Sequence, residues 1–533
     1  MEDIINETKP CLVQTSQGFS VSYKDKLLYS KYAPAKAITS YIEKLEILPQ
    51  TLILCVSPIL SYGLQELNQK LPADCIMLAC EYDKALYDFM LDQPGLVKSE
   101  TFSILSKEEL LELGPLLTKR NATLQSGFTL PPCGTFRRII RIDFSAGAQF
   151  STQLYDKVLE NATNALMTFW ANRVTLVKFG RKYCTNFFKN LSILDRTTPL
   201  QNFFGKIEKP VLVFGAGETA SLGIEKINKT GRSNYYILCA DTALQPLLTS
   251  GISPDGVFIE EAQNVISKCF IGTKNPDIHI FAGLSSIHSI TRFFKSEQIS
   301  FFTTEFTQAE FLDRFDSLGI LPPKNDPFGS VGITAYYYAI LFRKDTTIPI
   351  YTFGLDFAYS AGRTHTKGTM ADNARFMTSN RIKTDGNYAA AFNEPAFKKN
   401  KTMYTTPIMA RYENLLMALR QAQEPQTLAQ EPHIQAQEHQ KEKSTAVVEP
   451  VETTNKITQI LKEEVSSLQE LKSLLTGEKQ LPTDQLEKEI TQLVQKREYL
   501  YLHFPDGHKF AYTQSFLNRV RVEIEYYLKI LKR

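Results

Sequence analysis

No apolar run in this chain approaches the roughly 18–20 residues needed to cross a bilayer, so no membrane span is expected. Blocks of Lys or Arg are also missing, and the net charge is only +3 over 533 residues. Nucleic acid and anionic membrane surfaces therefore gain no electrostatic support as partners. The eight cysteines form no C-x-x-C pair, and Cys55 and Cys239 sit inside apolar runs. Buried thiols in a reducing compartment explain them better than zinc or disulfides. The first residues, Met1-Glu2-Asp3, lack the basic-then-apolar profile of a signal peptide, which makes a cytoplasmic location the expectation. Aromatic residues are absent from Glu413 to Glu498, in a chain that is 11% aromatic.

What is present is ordinary globular material, 43% hydrophobic and 22% charged, in a chain too long for one core. The expected fold class is α/β and multidomain. An N-terminal α/β domain (1–195) contains strands at Phe19–Tyr23, Leu27–Tyr29, Thr51–Val56 and Cys75–Cys80, the last followed by Glu81. An acid ending a second strand can bind a ribose, but the preceding turn, Ser57-Pro58-Ile59-Leu60, has no glycine fingerprint, so a scaffold or oligomerisation role is expected here. Helical spacing from Tyr155 to about Leu194 leads into a central Rossmann-like domain (196–400). Its strands are expected near Val211–Phe214, Tyr235–Ala240, Gly256–Ile259, Ile278–Ala282 and Ile348–Phe353. A helical C-terminal module (401–533) follows. It contains a disordered linker over 421–453, where Ala-Gln-Glu recurs among prolines. Helices then run from Ile457 to a stop at Gly477, from Asp484 with Glu487 placed for a capping box, and after Thr513.

The strongest local signal is the strand Val211–Phe214 running into Gly215-Ala216-Gly217 and a helix. Glycines permit a tight turn and close approach of a phosphate, and a helix N-terminus offers free N–H donors. The next strand ends in Asp241, placed to accept from a ribose hydroxyl. Taken literally, Gly215-x-Gly217-x-x-Ala220 with that acid satisfies the dinucleotide fingerprint, so a nicotinamide oxidoreductase stays open at this point. Of the seven histidines only His365 stands in a glycine-flanked polar loop, near Asp356, Arg363 and Lys367. It could accept a hydroxyl proton or, protonated, stabilise a departing phosphate. His433 and His439 fall in the linker, and His503 and His508 flank a Phe-Pro-Asp-Gly turn better read as loop than metal site. Asp356 follows a buried strand, where parallel-sheet ligands bind, or else orders its own loop. Gly329-Ser330 precede a helix whose N-terminus could hold a phosphate, with Ser330 as an alternative plain N-cap.

Three blocks in order carry a family resemblance. Cys239-Ala-Asp241-Thr242-Ala243-Leu, extending to Gly251-Ile-Ser-Pro254-Asp255, is the first. Gly329-Ser330-Val331 is the second, and Phe353-Gly354-Leu-Asp356 through Arg363-Thr-His365 to Gly368-Thr369 is the third. With Asn172-Arg173 and Asn186–Leu191 upstream, the stretch of roughly 170–385 resembles the motility accessory factor (Maf) family of flagellin-modifying glycosyltransferases. The resemblance implies a sialyltransferase-like domain and transfer of a pseudaminic- or legionaminic-type nonulosonic acid from a CMP-sugar to Ser or Thr of flagellin. More distant relatives of the same domain are archaeal 6-hydroxymethylpterin diphosphokinases, which transfer a diphosphate. The implied catalytic residues are His365 and Asp356. The implied nucleotide-sugar contacts are Gly215, Gly217, Glu218, Ser221, Asp241, Thr242, Ala243, Glu261, Gly329, Ser330, Arg363 and Thr369. No cofactor beyond the CMP-sugar donor is required, although Glu218, Asp241 and Glu261 could supply oxygen ligands to a divalent metal. Two departures stand out: Glu218-Thr-Ala-Ser221-Leu222 where the family reads Pro-Ser-Leu, the Pro-Ser being replaced or displaced by an insertion, and Glu261 where it reads Asp. Either implies altered donor choice or lost catalysis, the latter leaving a flagellin-binding protein. The oligomeric state is open.

Overall fold

The computed structural model describes residues 9–93, 99–119, 122–273, 277–307, 309–422 and 450–532. These form two compact units, Met1–Leu176 and Val177–Arg533. The helix Thr152–Leu191 has residues in both.

The first unit is built on a four-stranded parallel sheet in the order Phe102–Ile104, Ile76–Cys80, Thr51–Val56, Arg138–Asp143. Period-2 alternation sends Leu52, Leu54 and Leu78 into one core and Ile53, Cys55 and Met77 into another. Both faces are covered, which is why Thr51–Val56 reads as an unbroken apolar run. A small antiparallel sheet, Cys11–Thr15, Gly18–Tyr23 and Lys26–Leu27, lies in the same unit.

The second unit carries a seven-stranded sheet, parallel throughout. Its order is Lys324–Asn325, Ile299–Thr304, His279–Gly283, Gly256–Ile259, Tyr236–Ala240, Val211–Phe214, Ile350–Phe353. The strand Val211–Phe214 is thus flanked by its immediate successor and by the last strand of the series. Connections leave in opposite directions there, and ligands of open α/β sheets bind outside the carboxyl ends at such a point. The helix Val331–Phe342 packs Ile333, Tyr338 and Phe342 on Val211, Leu238, Phe258 and Phe281. Two strands of this sheet, Ile299–Thr304 and Lys324–Asn325, were not expected from the sequence. Its other five are the expected ones, with ends shifted by at most two residues.

The remainder of the unit is mostly helical. Pro407–Gln421 is capped by the Thr406 hydroxyl, and Gln514–Leu531 by the Thr513 hydroxyl, as the Thr513 start predicts. Pro450–Thr476 stops before Gly477, whose φ of 76° suits glycine. That helix begins at Pro450, so the linker expected to reach 453 is helical over its last four residues; 423–449, including His433 and His439, lie outside the described residues. Thr483–Gln495 has no side-chain cap, so the capping box expected around Asp484 and Glu487 does not form. One buried acid orders this part. Glu464 is 1% exposed and meets Arg314 at 2.9 Å, Arg497 at 3.1 Å and the Tyr499 hydroxyl.

Candidate functional site

The Gly215–Gly217 turn is interlocked with the turn after the last strand. Gly215 N–H donates to Phe353 O at 2.8 Å, and Gly217 N–H to Gly354 O at 2.9 Å. A Cβ on Gly215 would overlap Gly354 O, and one on Gly354, where φ is +68°, would overlap Gly215 O. The glycines are thus required by two backbones crossing at contact distance. Asp356 completes the lock by accepting from Thr219 N–H at 3.0 Å and from the Thr219 hydroxyl, which itself accepts from Gly354 N–H at 2.8 Å. Glu218 accepts from Ser360 N–H at 3.0 Å and from the Ser360 hydroxyl. Thr366 N–H donates to Ala216 O at 2.8 Å, which draws the His365 loop onto the turn. Several N–H donors that would face a phosphate are therefore bonded inside the protein, and two carboxylates border them.

Around this lock the sequence-predicted residues separate. The exposed Ser221 hydroxyl donates to Glu218 O at 2.9 Å, and Arg363 is exposed, its backbone bonded to Ser360 O. Thr369 is buried and caps the helix Met370–Thr378, accepting from Asp372 N–H. His365 is half-buried, with Nδ1 3.1 Å from the Thr364 hydroxyl. Burial, helped by the Arg375 charge, holds its pKa below the ordinary value, so the imidazole is neutral at neutral pH.

A second group sits at the carboxyl ends of the next two strands. Asp241, 3% exposed, opens the short 3-10 turn Asp241–Ala243, with Thr242 half-buried and Ala243 buried. Among the described residues its Oδ2 has no hydrogen-bond partner. Burial pushes its pKa from 3.8 up to about 7; Thr242 opposes the rise, while Glu261 and Glu260 add to it. Glu260 accepts from the Thr304 hydroxyl at 3.0 Å and the Thr334 hydroxyl at 2.8 Å, and its pKa is raised by burial. Glu261 accepts from Gln263 N–H at 2.8 Å. Thr334 lies in the first turn of the helix Val331–Phe342, whose N-cap Ser330 makes no side-chain cap bond. Gly329, with φ of 73°, packs against Tyr412. The Glu260 tie, unrecognised from sequence, thus joins the Asp241 strand ends to the helix after Gly329-Ser330. Its only signal was an acid one residue nearer the strand than Glu261.

Among the described residues, no three His, Cys, Asp or Glu side chains are grouped to hold a metal ion. His503 lies in the turn region after Tyr501, 3.5 Å from Glu523. All eight cysteines are free, seven of them buried. No described helix is long and apolar enough to cross a membrane.

Residues 183–362 match the family described as 6-hydroxymethylpterin diphosphokinase MptE-like. That span holds the Gly215 turn, Asp241, Glu260, Ser330 and Asp356. The solved MAf glycosyltransferase of Magnetospirillum magneticum AMB-1 superimposes with a TM-score of 0.54 at 14% identity, over 99% of this chain and 92% of that one. The chain shares that protein's fold. An uncharacterised protein of Treponema pallidum (strain Nichols) is 29% identical over 98% of this chain and 95% of its own length. The Maf-like fold thus spans both units, and the MptE-like match marks the part that carries the site.

Proposed function

We propose that the chain is a cytoplasmic glycosyltransferase that moves a nonulosonic acid from a CMP-sugar to a Ser or Thr hydroxyl of flagellin. The observation that carries this reading is Asp241, a buried carboxylate with one unpartnered oxygen at the carboxyl end of a parallel sheet. Such an oxygen is costly without a ligand and suits a pair of sugar or base donors. Likeness of the whole fold to a Maf glycosyltransferase supports the reaction class.

In this scheme Asp241, with Thr242 and Ala243 beside it, receives the nucleoside, and the open helix N-terminus at Ser330 faces the phosphate. The acceptor oxygen attacks the anomeric carbon and the bond from that carbon to the phosphate oxygen breaks. CMP leaves with that oxygen. Neutral His365 takes the hydroxyl proton. Asp356 and Glu218 hold the loop that presents His365, and Arg363 at its exposed edge meets the donor's carboxylate.

The MptE-like match favours a second reading, diphosphate transfer from ATP to a pterin alcohol, in which Asp241 would accept from the pterin's amino-pyrimidine edge. Calorimetry with CMP and with ATP, followed by a transfer assay on flagellin with CMP-nonulosonates, separates the two. CMP binding that Asp241→Asn abolishes supports the transferase. ATP and pterin binding without CMP binding supports the kinase, and silence from all ligands would sink both in favour of a non-catalytic flagellin binder.

A further inference from the structure

A cavity of about 790 Å³ in the second unit lies between the helix segment 178–189, the start of the 3-10 helix Asn264–Phe270 with Ala262 before it, the 3-10 turn His288–Arg292 and Tyr526. Its lining includes Lys178, Arg181, Lys182, Lys189 and Arg292, and no Asp or Glu. A chain with net charge of only +3 has thus placed five cations around one hollow. Arg181 is ion-paired, 2.9 Å from the buried Glu523, and rests on the Tyr526 ring. Lys182, Lys189 and Arg292 have no ion-pair partner among the described residues.

Helical spacing explains the geometry. Residues 178, 181, 182, 185, 186 and 189 share one face, while Cys184, Phe187, Phe188 and Leu191 are buried on the other. Lys178 and Lys182 are a like-charged i, i+4 pair, which costs helix stability by about 0.2–0.5 kcal/mol. Complementing the helix dipole accounts for Lys189 in the last turn but not for cations two turns earlier. The walls are firmly fixed. Asn186 donates to Ala262 O and Ser285 O, each at 3.2 Å, and Asn190 bridges to Leu284 O, Ser286 O and His288 Nδ1. The Ser289 hydroxyl, on the lining, is sheltered from solvent and has no partner among the described residues. Burial first, and then the charges of Lys189 and Arg292, depress the His288 pKa. By contrast, the cavity of about 750 Å³ in the first unit has one cation on its lining beyond the backbone, Arg141, already paired with Asp143 and Asp156.

We propose that this cavity is a second, anion-binding site for a small molecule carrying a diphosphate-type group. Cations from two elements converge on a hollow of ordinary ligand size, which suits a compact multivalent anion. Phe293 and Tyr526 give the same hollow two rings for an attached base or sugar. The site does not depend on the transferase reading; its residues are separate from Asp241, Ser330 and His365.

The test is calorimetry of the full chain with inorganic pyrophosphate, repeated on Lys182→Gln/Arg292→Gln and on Asp241→Asn. Both replaced cations are exposed, and thermal unfolding of the double variant should match the parent. Pyrophosphate should bind the parent and move the His288 ring resonances. Its Kd should rise at least about tenfold in the double variant and stay unchanged in Asp241→Asn. Absence of pyrophosphate binding, or equal affinity in parent and double variant, overturns the proposal. Binding of heparin alone, lost in the double variant, would also overturn it, by making the hollow part of a surface for long polyanions.

Discussion

The two parallel sheets of this protein pose the same problem at the same place and resolve it differently. In each, the second strand of the core pair ends in an acid, Glu81 in the first unit and Asp241 in the second. Each acid is almost fully buried, at 2% and 3% exposure. Glu81 is surrounded by donors: the Ser57 and Tyr155 hydroxyls and Asp83 N–H all reach its two oxygens. Asp241 has its own turn, and one oxygen has no partner among the described residues. A satisfied buried acid is a structural tie; one with an unpartnered oxygen keeps an acceptor unused. The same contrast runs through the turns, Ser57-Pro58 supplying a hydroxyl to Glu81 and Gly215–Gly217 giving its donors to the neighbouring strand.

The largest expected effect concerns protons. Asp241 binds its proton more tightly when folded, so below about pH 4 both states hold it and stability is at its fullest. As pH rises from about 4 to about 7 the unfolded chain ionises first and that stability is lost, up to ~4 kcal/mol. Glu81, also raised by burial, acts in the same direction. Chemical denaturation of parent and Asp241→Asn across this range should show the decline flattened in the variant; parallel curves would mean the two acids are alike. At the site itself, Asp241→Asn should cut transfer by about 10²–10³-fold with no loss of melting temperature.

Next in size, Gly354→Ala places a Cβ against Gly215 O at a positive φ and should cost about 3 kcal/mol or more, read as a lowered denaturation midpoint. Glu81→Ala orphans three donors and should cost about 2–3 kcal/mol while leaving nucleotide binding intact. Loss of binding in Glu81→Ala at full stability would break the comparison. Ser221→Ala should do least, within about 0.5 kcal/mol, because its exposed hydroxyl bonds only a local carbonyl.

How much of this was legible follows from how local each feature is. Asp241 was readable because an apolar run, an acid and a helical stretch are adjacent in the chain. The strand Ile299–Thr304 has the β-branched and aromatic content that marks a strand; Lys324–Asn325 is two polar residues and carries no pattern. The use of the Gly215 turn could not be read locally. Its glycines look like a phosphate cradle until Gly354 and Asp356, from the far side of five strands, occupy the donors. The cations of 178–189 were visible as letters, but the converging Arg292 lies about a hundred residues away.

The lock between the two glycine turns has a consequence for how the chain is made. Thr219 leaves the ribosome 137 residues before the Asp356 that closes on it. At roughly 5–20 residues per second, the edge of Val211–Phe214 stays unpaired for on the order of ten seconds of synthesis. Throughout that interval a fully apolar strand offers its backbone to any passing partner. Nascent chains stalled before residue 350 should therefore be clients of the cell's chaperones, and those released after 356 should not.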